Sequence, residues 1–148
     1  MHVFSSWIGD WSWAIPIIVL NLTLHVVGLA YISTTVDRVV GERDQRHPLY
    51  YFVFVMGVAV TLATVLHGIE AAVWASAYTA LGALKDYHDA MLYSLNAITT
   101  YGHESTTLTA RWSLLGALEA LNGVLLFGLT TAFLYGYLQR AWPVGTKL

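Results

Sequence analysis

The sequence predicts an all-α membrane protein with three transmembrane helices and one short helix too brief to cross. Three observations predict it. Of 148 residues, 57% are hydrophobic and only 11% charged, against roughly 25% charged in ordinary soluble domains, and the mean hydropathy is +0.59. The apolar residues gather in three long runs. Between the second and third lies "SLNAITTYGHESTTLTARW", Ser94 to Trp112, polar almost throughout. The length holds one domain with a few spans of about 20 residues each. A net charge of −2 gives no signal for nucleic acid, and none is expected as a partner. With no cysteine, disulfides, thiolate zinc sites and thiol nucleophiles are excluded.

The N-terminal "MHVFSSWIGDWSW" lacks Lys and Arg, so it has no basic n-region and a cleaved signal peptide is not expected. Trp7, Trp11 and Trp13 suit an interfacial belt outside the first span. That span is Ala14 to Ile32, interrupted by Asn21, Thr23 and His25, with Pro16 near its start, where proline does little harm. The following "STTVDRVVGERDQRHP" carries Arg38, Arg43 and Arg46, three of the chain's seven basic residues. Short Arg-rich loops stay on the cytoplasmic side, which puts the N-terminus outside.

The second run extends from Pro48 to Leu84, ~55 Å if wholly helical and more than one crossing needs. Tyr50 to Val73 is read as the span and "WASAYTALGAL" as its exit, with Trp74 and Tyr78 at the outer interface and Gly82 ending the helix. Next comes "KDYHDAMLYSLNAITTYGHESTTLTAR", expected outside. Within it Ala90 to Ile98 forms a short helix, N-capped by Asp86 or Asp89. The last run, Ser113 to Tyr137, is a full span holding Glu119 and Asn122. Gln139, Arg140 and Lys147 follow it, so the C-terminus is expected in the cytoplasm. Residues 1–47 thus form an N-terminal segment with one span, and residues 48–148 the rest, with no repeat or linker. Irregular polar backbone at membrane depth is tolerated only where protein buries it or it lines a watery cavity. A short helix plus a Thr/Gly loop between two spans therefore reads as a re-entrant loop.

These residues resemble the pore domain of the two-transmembrane potassium channel superfamily, the bacterial ion channel family. "YSLNAITTYG" is similar to its pore helix running into the filter, "ARWSLLGALEALNGVLLFGLTTAFLYGYLQR" to its inner helix, and "HGIEAAVWASAYTALGALKDYHDAMLYS" to its outer helix and turret. The resemblance covers Leu66 to Arg140. It implies a potassium-channel-like tetrameric pore, with outer helix, pore helix, filter loop and inner helix in residues 48–148. It also implies a bacterial inner (plasma) membrane as the location.

The filter departs from the family's Thr-Val-Gly-Tyr-Gly. Following Thr99, the residues Thr100, Tyr101, Gly102, His103 and Glu104 occupy those five positions. The family's filter replaces the hydration shell of K⁺ with rings of backbone carbonyls. Glu104 stands where the second glycine belongs, and a glycine-only conformation strains any other residue. Two readings follow for each changed residue. Glu104 forms a carboxylate ring at the outer mouth or is an exposed loop acid. His103 forms a protonatable or metal-binding ring with Glu104, or packs behind the filter where the family has tyrosine.

Four further polar residues fall inside the spans. His67 and Glu70, three apart, share one helix face. They either bind a metal, for which two ligands are too few, or form a buried polar pair facing another helix. Glu119 and Asn122 make a similar pair, read as scaffold meeting Ser94 or Asn96. Gly116, Gly123, Gly128 and Gly136 permit close helix packing or a hinge, and Thr130 and Thr131 are candidates to line a cavity below the filter. The functional expectation is a homotetrameric cation channel, not strictly K⁺-selective, with no enzymatic reaction and no cofactor. Its partners are the lipid bilayer, copies of itself, and monovalent or divalent cations as permeant ions. A non-conducting channel-like scaffold or modulatory subunit is the alternative. A small membrane enzyme or metal transporter using His67, Glu70, His103 and Glu104 is a third class, without a full motif such as HExxH to support it.

Overall fold

The computed structural model describes residues 2–40, 48–102 and 107–141. Its elements are α1 (His2–Val40), α2 (Pro48–Ala80), α3 (Tyr87–Ile98) and α4 (Ser113–Ala141). Among the described residues every regular element is a helix. Three of the helices are long and apolar enough to cross a membrane, over Trp7–Arg38, Leu49–Ala80 and Ser113–Gln139. α1 continues well beyond Ala14 to Ile32 at both ends. Pro16 therefore lies inside the helix rather than near its start, and its missing N–H leaves the Ser12 carbonyl without its helical donor.

α1 and α2 pack antiparallel, and α4 runs alongside α1. Ala14 joins Trp74, Tyr78 and Leu115 in one buried cluster, while Val36 joins Val55 and Tyr137 in another. At the second end the Tyr137 hydroxyl donates to the Ser33 carbonyl, 3.0 Å away. The Trp7, Trp11 and Trp13 side chains remain exposed, as an interfacial belt requires. Trp74 and Tyr78 do not join them. Both are 0% exposed, since α2 continues unbroken to Ala80 and buries this last stretch against α3 and α4. Gly82 ends the turn beyond α2 at φ 66°, a left-handed conformation that glycine adopts without steric penalty.

α3 is seated between α2 and α4. It starts three residues earlier than Ala90, at Tyr87, and its N-cap is Asp86. The Asp86 carboxylate accepts from the backbone N–H of His88 and Asp89, 2.8 and 3.1 Å away. Twelve residues make about 18 Å of helix, short of a ~30 Å hydrocarbon core.

Candidate functional site

α3 is held from behind by Glu119 of α4. The Ser94 hydroxyl donates to one Glu119 carboxylate oxygen, and the Tyr78 hydroxyl donates to the other at 2.6 Å. Ser94 also lies 2.7 Å from the Ala71 carbonyl of α2. One buried carboxylate thus ties three helices together, and the expected contact between Glu119 and Ser94 is present. Of the four glycines in α4, only Gly116 and Gly123 face α3. A Cβ on Gly123 would overlap the Ile98 carbonyl, whereas Gly128 and Gly136 have open space. Burial pushes the Tyr93 phenol up to about 12, so its hydroxyl stays protonated beside Gly116.

The C-terminal end of α3 is a Schellman turn. The Thr100 N–H donates to the Ala97 carbonyl at 2.9 Å and the Tyr101 N–H to the Asn96 carbonyl at 3.0 Å. Thr100 takes the left-handed position at φ 57°, and Gly102 follows at φ 95°. The Thr99 hydroxyl turns back onto the Leu95 carbonyl, 2.6 Å away. Tyr101 is 76% exposed. Beside this turn an open groove of about 320 Å³ runs between α3 and α4, lined among others by Tyr93, Asn96, Thr100, Gly116 and Ala120. His103 and Glu104, including their tentative metal reading, lie outside the described residues.

A second polar cluster fills the bundle below α3. Trp74 Nε1 and Asn21 Nδ2 donate to Asn122 Oδ1 at 3.1 and 3.3 Å. Asn122 therefore meets α1 and α2 rather than Ser94 or Asn96. This layer leaves Asn21 Oδ1 and Asn122 Nδ2 buried without a hydrogen-bond partner. The next layer closes on itself. Glu70 receives His25 Nδ1 on one oxygen at 2.7 Å and His67 Nδ1 on the other at 2.9 Å. Thr130 Oγ1 bridges the opposite sides of both rings, 3.0 Å from His67 Nε2 and 3.2 Å from His25 Nε2.

Proton counting constrains this ring. Its four hydrogen bonds need four protons, and the Thr130 hydroxyl supplies one. Which ring nitrogens carry the other protons depends on the tautomers of His25 and His67. Polar groups buried in an apolar bundle are costly unless hydrogen-bonded, and this ring supplies the bonds.

His67 and Glu70 are together as their spacing implies, but His25 of α1, on sequence only an interruption of the first span, completes the set. A signal was present, since Asn21 and His25 are four apart and form a polar face on an otherwise apolar span. Thr130 serves the ring rather than a cavity, and Thr131 bonds back to the Phe127 carbonyl at 2.8 Å. Compared with known proteins, the chain matches no protein-family model, no curated protein and no solved structure.

Proposed function

We propose that this chain is one subunit of a tetrameric pore-loop cation channel that does not select strictly for K⁺. The observation that carries the reading is α3 itself. It is a helix too short to cross, wedged between two spanning helices, with the Thr-Thr-Tyr-Gly segment at its C-terminal end. A helix C-terminus carries partial negative charge from unsatisfied carbonyls and favours cations. One such loop cannot enclose an ion path, so copies have to close a ring by symmetry. The groove beside Thr100 and the bare apolar side chains of α4, such as Leu121, Val124 and Leu125, supply surface for neighbouring copies.

One observation favours the non-conducting alternative. The Schellman turn at Thr100 bends the chain where a potassium filter would run on as a ladder of carbonyls. Native mass spectrometry in mild detergent and reversal potentials in K⁺, Na⁺ and Ca²⁺ gradients separate the readings. A tetramer passing both Na⁺ and K⁺ is expected. A monomer or dimer would exclude a pore, a silent tetramer would leave a scaffold, and strong exclusion of Na⁺ would restore an intact K⁺ filter.

A further inference from the structure

We propose that His25, His67 and Glu70 form a binding site for a divalent transition-metal ion of the zinc class, with Thr130 holding both imidazoles from behind. The inference is independent of ion conduction and would stand in a non-conducting protein. The three side chains offer ligand atoms all within 4.8 Å of one another. His25 and Glu70 are 0% exposed, and His67 is 13% exposed.

The orientation of the rings carries the argument. Both Nδ1 atoms face the same carboxylate, and both Nε2 atoms face the same hydroxyl. An ion between the Nδ1 atoms and the carboxylate would find three ligands on one side. Ligands about 2.0–2.1 Å from a tetrahedral zinc stand roughly 3.3 Å from each other. The present separations, 2.7 Å from His25 Nδ1 to one Glu70 oxygen and 2.9 Å from His67 Nδ1 to the other, are hydrogen-bond lengths that would have to open toward this spacing for an ion to enter. Each metal-bound imidazole would then carry its proton on Nε2 and donate it to Thr130. This is the outer hydrogen bond that metal-ligating histidines usually make and that fixes their tautomer.

The donor chemistry selects the ion. Two imidazoles and a carboxylate suit zinc and its neighbours, whereas Mg²⁺ and Ca²⁺ want oxygen throughout and Cu(I) wants sulfur. Three protein ligands also leave a fourth position open. The exposed group Asp86, His88 and Asp89 has comparable ligand spacing, but its Asp86 carboxylate is already engaged as the cap of α3. Because ligating imidazole nitrogens must be free of protons, affinity should fall as pH falls.

The test uses the full chain in detergent or lipid nanodiscs, stripped with chelator and titrated with Zn²⁺ by calorimetry and with Co²⁺ by absorption. One ion per chain is expected. His25→Ala and His67→Gln should each weaken binding at least tenfold, and Thr130→Val by about 10- to 100-fold, while His88→Ala should leave it unchanged. His67→Gln replaces the one partly exposed ligand and so preserves the packing. Absence of Zn²⁺ binding by folded wild-type protein would overturn the proposal and leave a ring closed by protons alone. Binding lost in His88→Ala but kept in His25→Ala would overturn it in favour of the surface group.

Discussion

Thr100 holds φ 57° at the end of α3, a conformation that places the Cβ of an L-residue too close to the backbone and costs roughly 1–2 kcal/mol. Glycine is the usual occupant of this position in a Schellman turn. Thr100→Gly should therefore stabilise the folded chain by about 1 kcal/mol, seen as a thermal midpoint higher by about 2–4 °C. Intrinsic tryptophan fluorescence during heating reads this directly. A lower midpoint would show that the threonine side chain contributes more to folding than its backbone strain removes. In either case the strain lies in the segment expected to meet ions, where sparsely populated backbone conformations tend to cluster.

For the helices, the contact between α3 and α4 decides where the loop sits. Gly123 faces the Ile98 backbone so closely that a methyl group there displaces main chain rather than a side chain that can rotate away. Gly123→Ala should cost about 1–3 kcal/mol, the usual range for overpacking. Gly128→Ala, one helical face away with nothing within 4 Å, should be neutral or gain up to about 1 kcal/mol from helix propensity. The pair is a matched experiment on one helix, read by thermal unfolding in the same detergent. Equal effects at both positions would mean that α3 does not press on α4 at Gly123. Glu119 bears the same load in polar form, since it accepts from Ser94 and Tyr78 at once.

The molecule as a whole presents bare apolar side chains around its long helices, including Val19, Val27, Val53 and Val65. In water such a belt would drive aggregation, and in a bilayer it meets lipid tails. Its interior carries polar layers from Glu119 through Asn122 and the His25–Glu70 ring to Tyr137. The proposed orientation, N-terminus outside, rests on Arg38, Arg43 and Arg46 following the first apolar run and on the lack of Lys and Arg before Ala14. His88→Cys, at the start of α3, should be labelled by an impermeant reagent from outside intact cells. Gln139→Cys, at the end of α4, should be labelled only after permeabilisation. The chain has no native cysteine to confuse the assay, and outside labelling of Gln139→Cys would invert the assignment.

Three helices long and apolar enough to span a membrane, and the short fourth helix, were legible from composition and run length, because partition into lipid depends on the local density of apolar residues. The stop at Gly82, and a cap at Asp86 or Asp89 that the structure resolves to Asp86, were legible because each acts within a turn of its own position. What was not legible depends on which helix lies beside which. His25 meets Glu70 across 45 positions and Thr130 across 105, distances over which no spacing rule operates. Trp74 and Tyr78 looked like interfacial aromatics, yet α3 and α4 close over them. Burial of a large side chain is set by its neighbours in space, so folding alone turned a lone histidine on an apolar span into the third member of a buried ring.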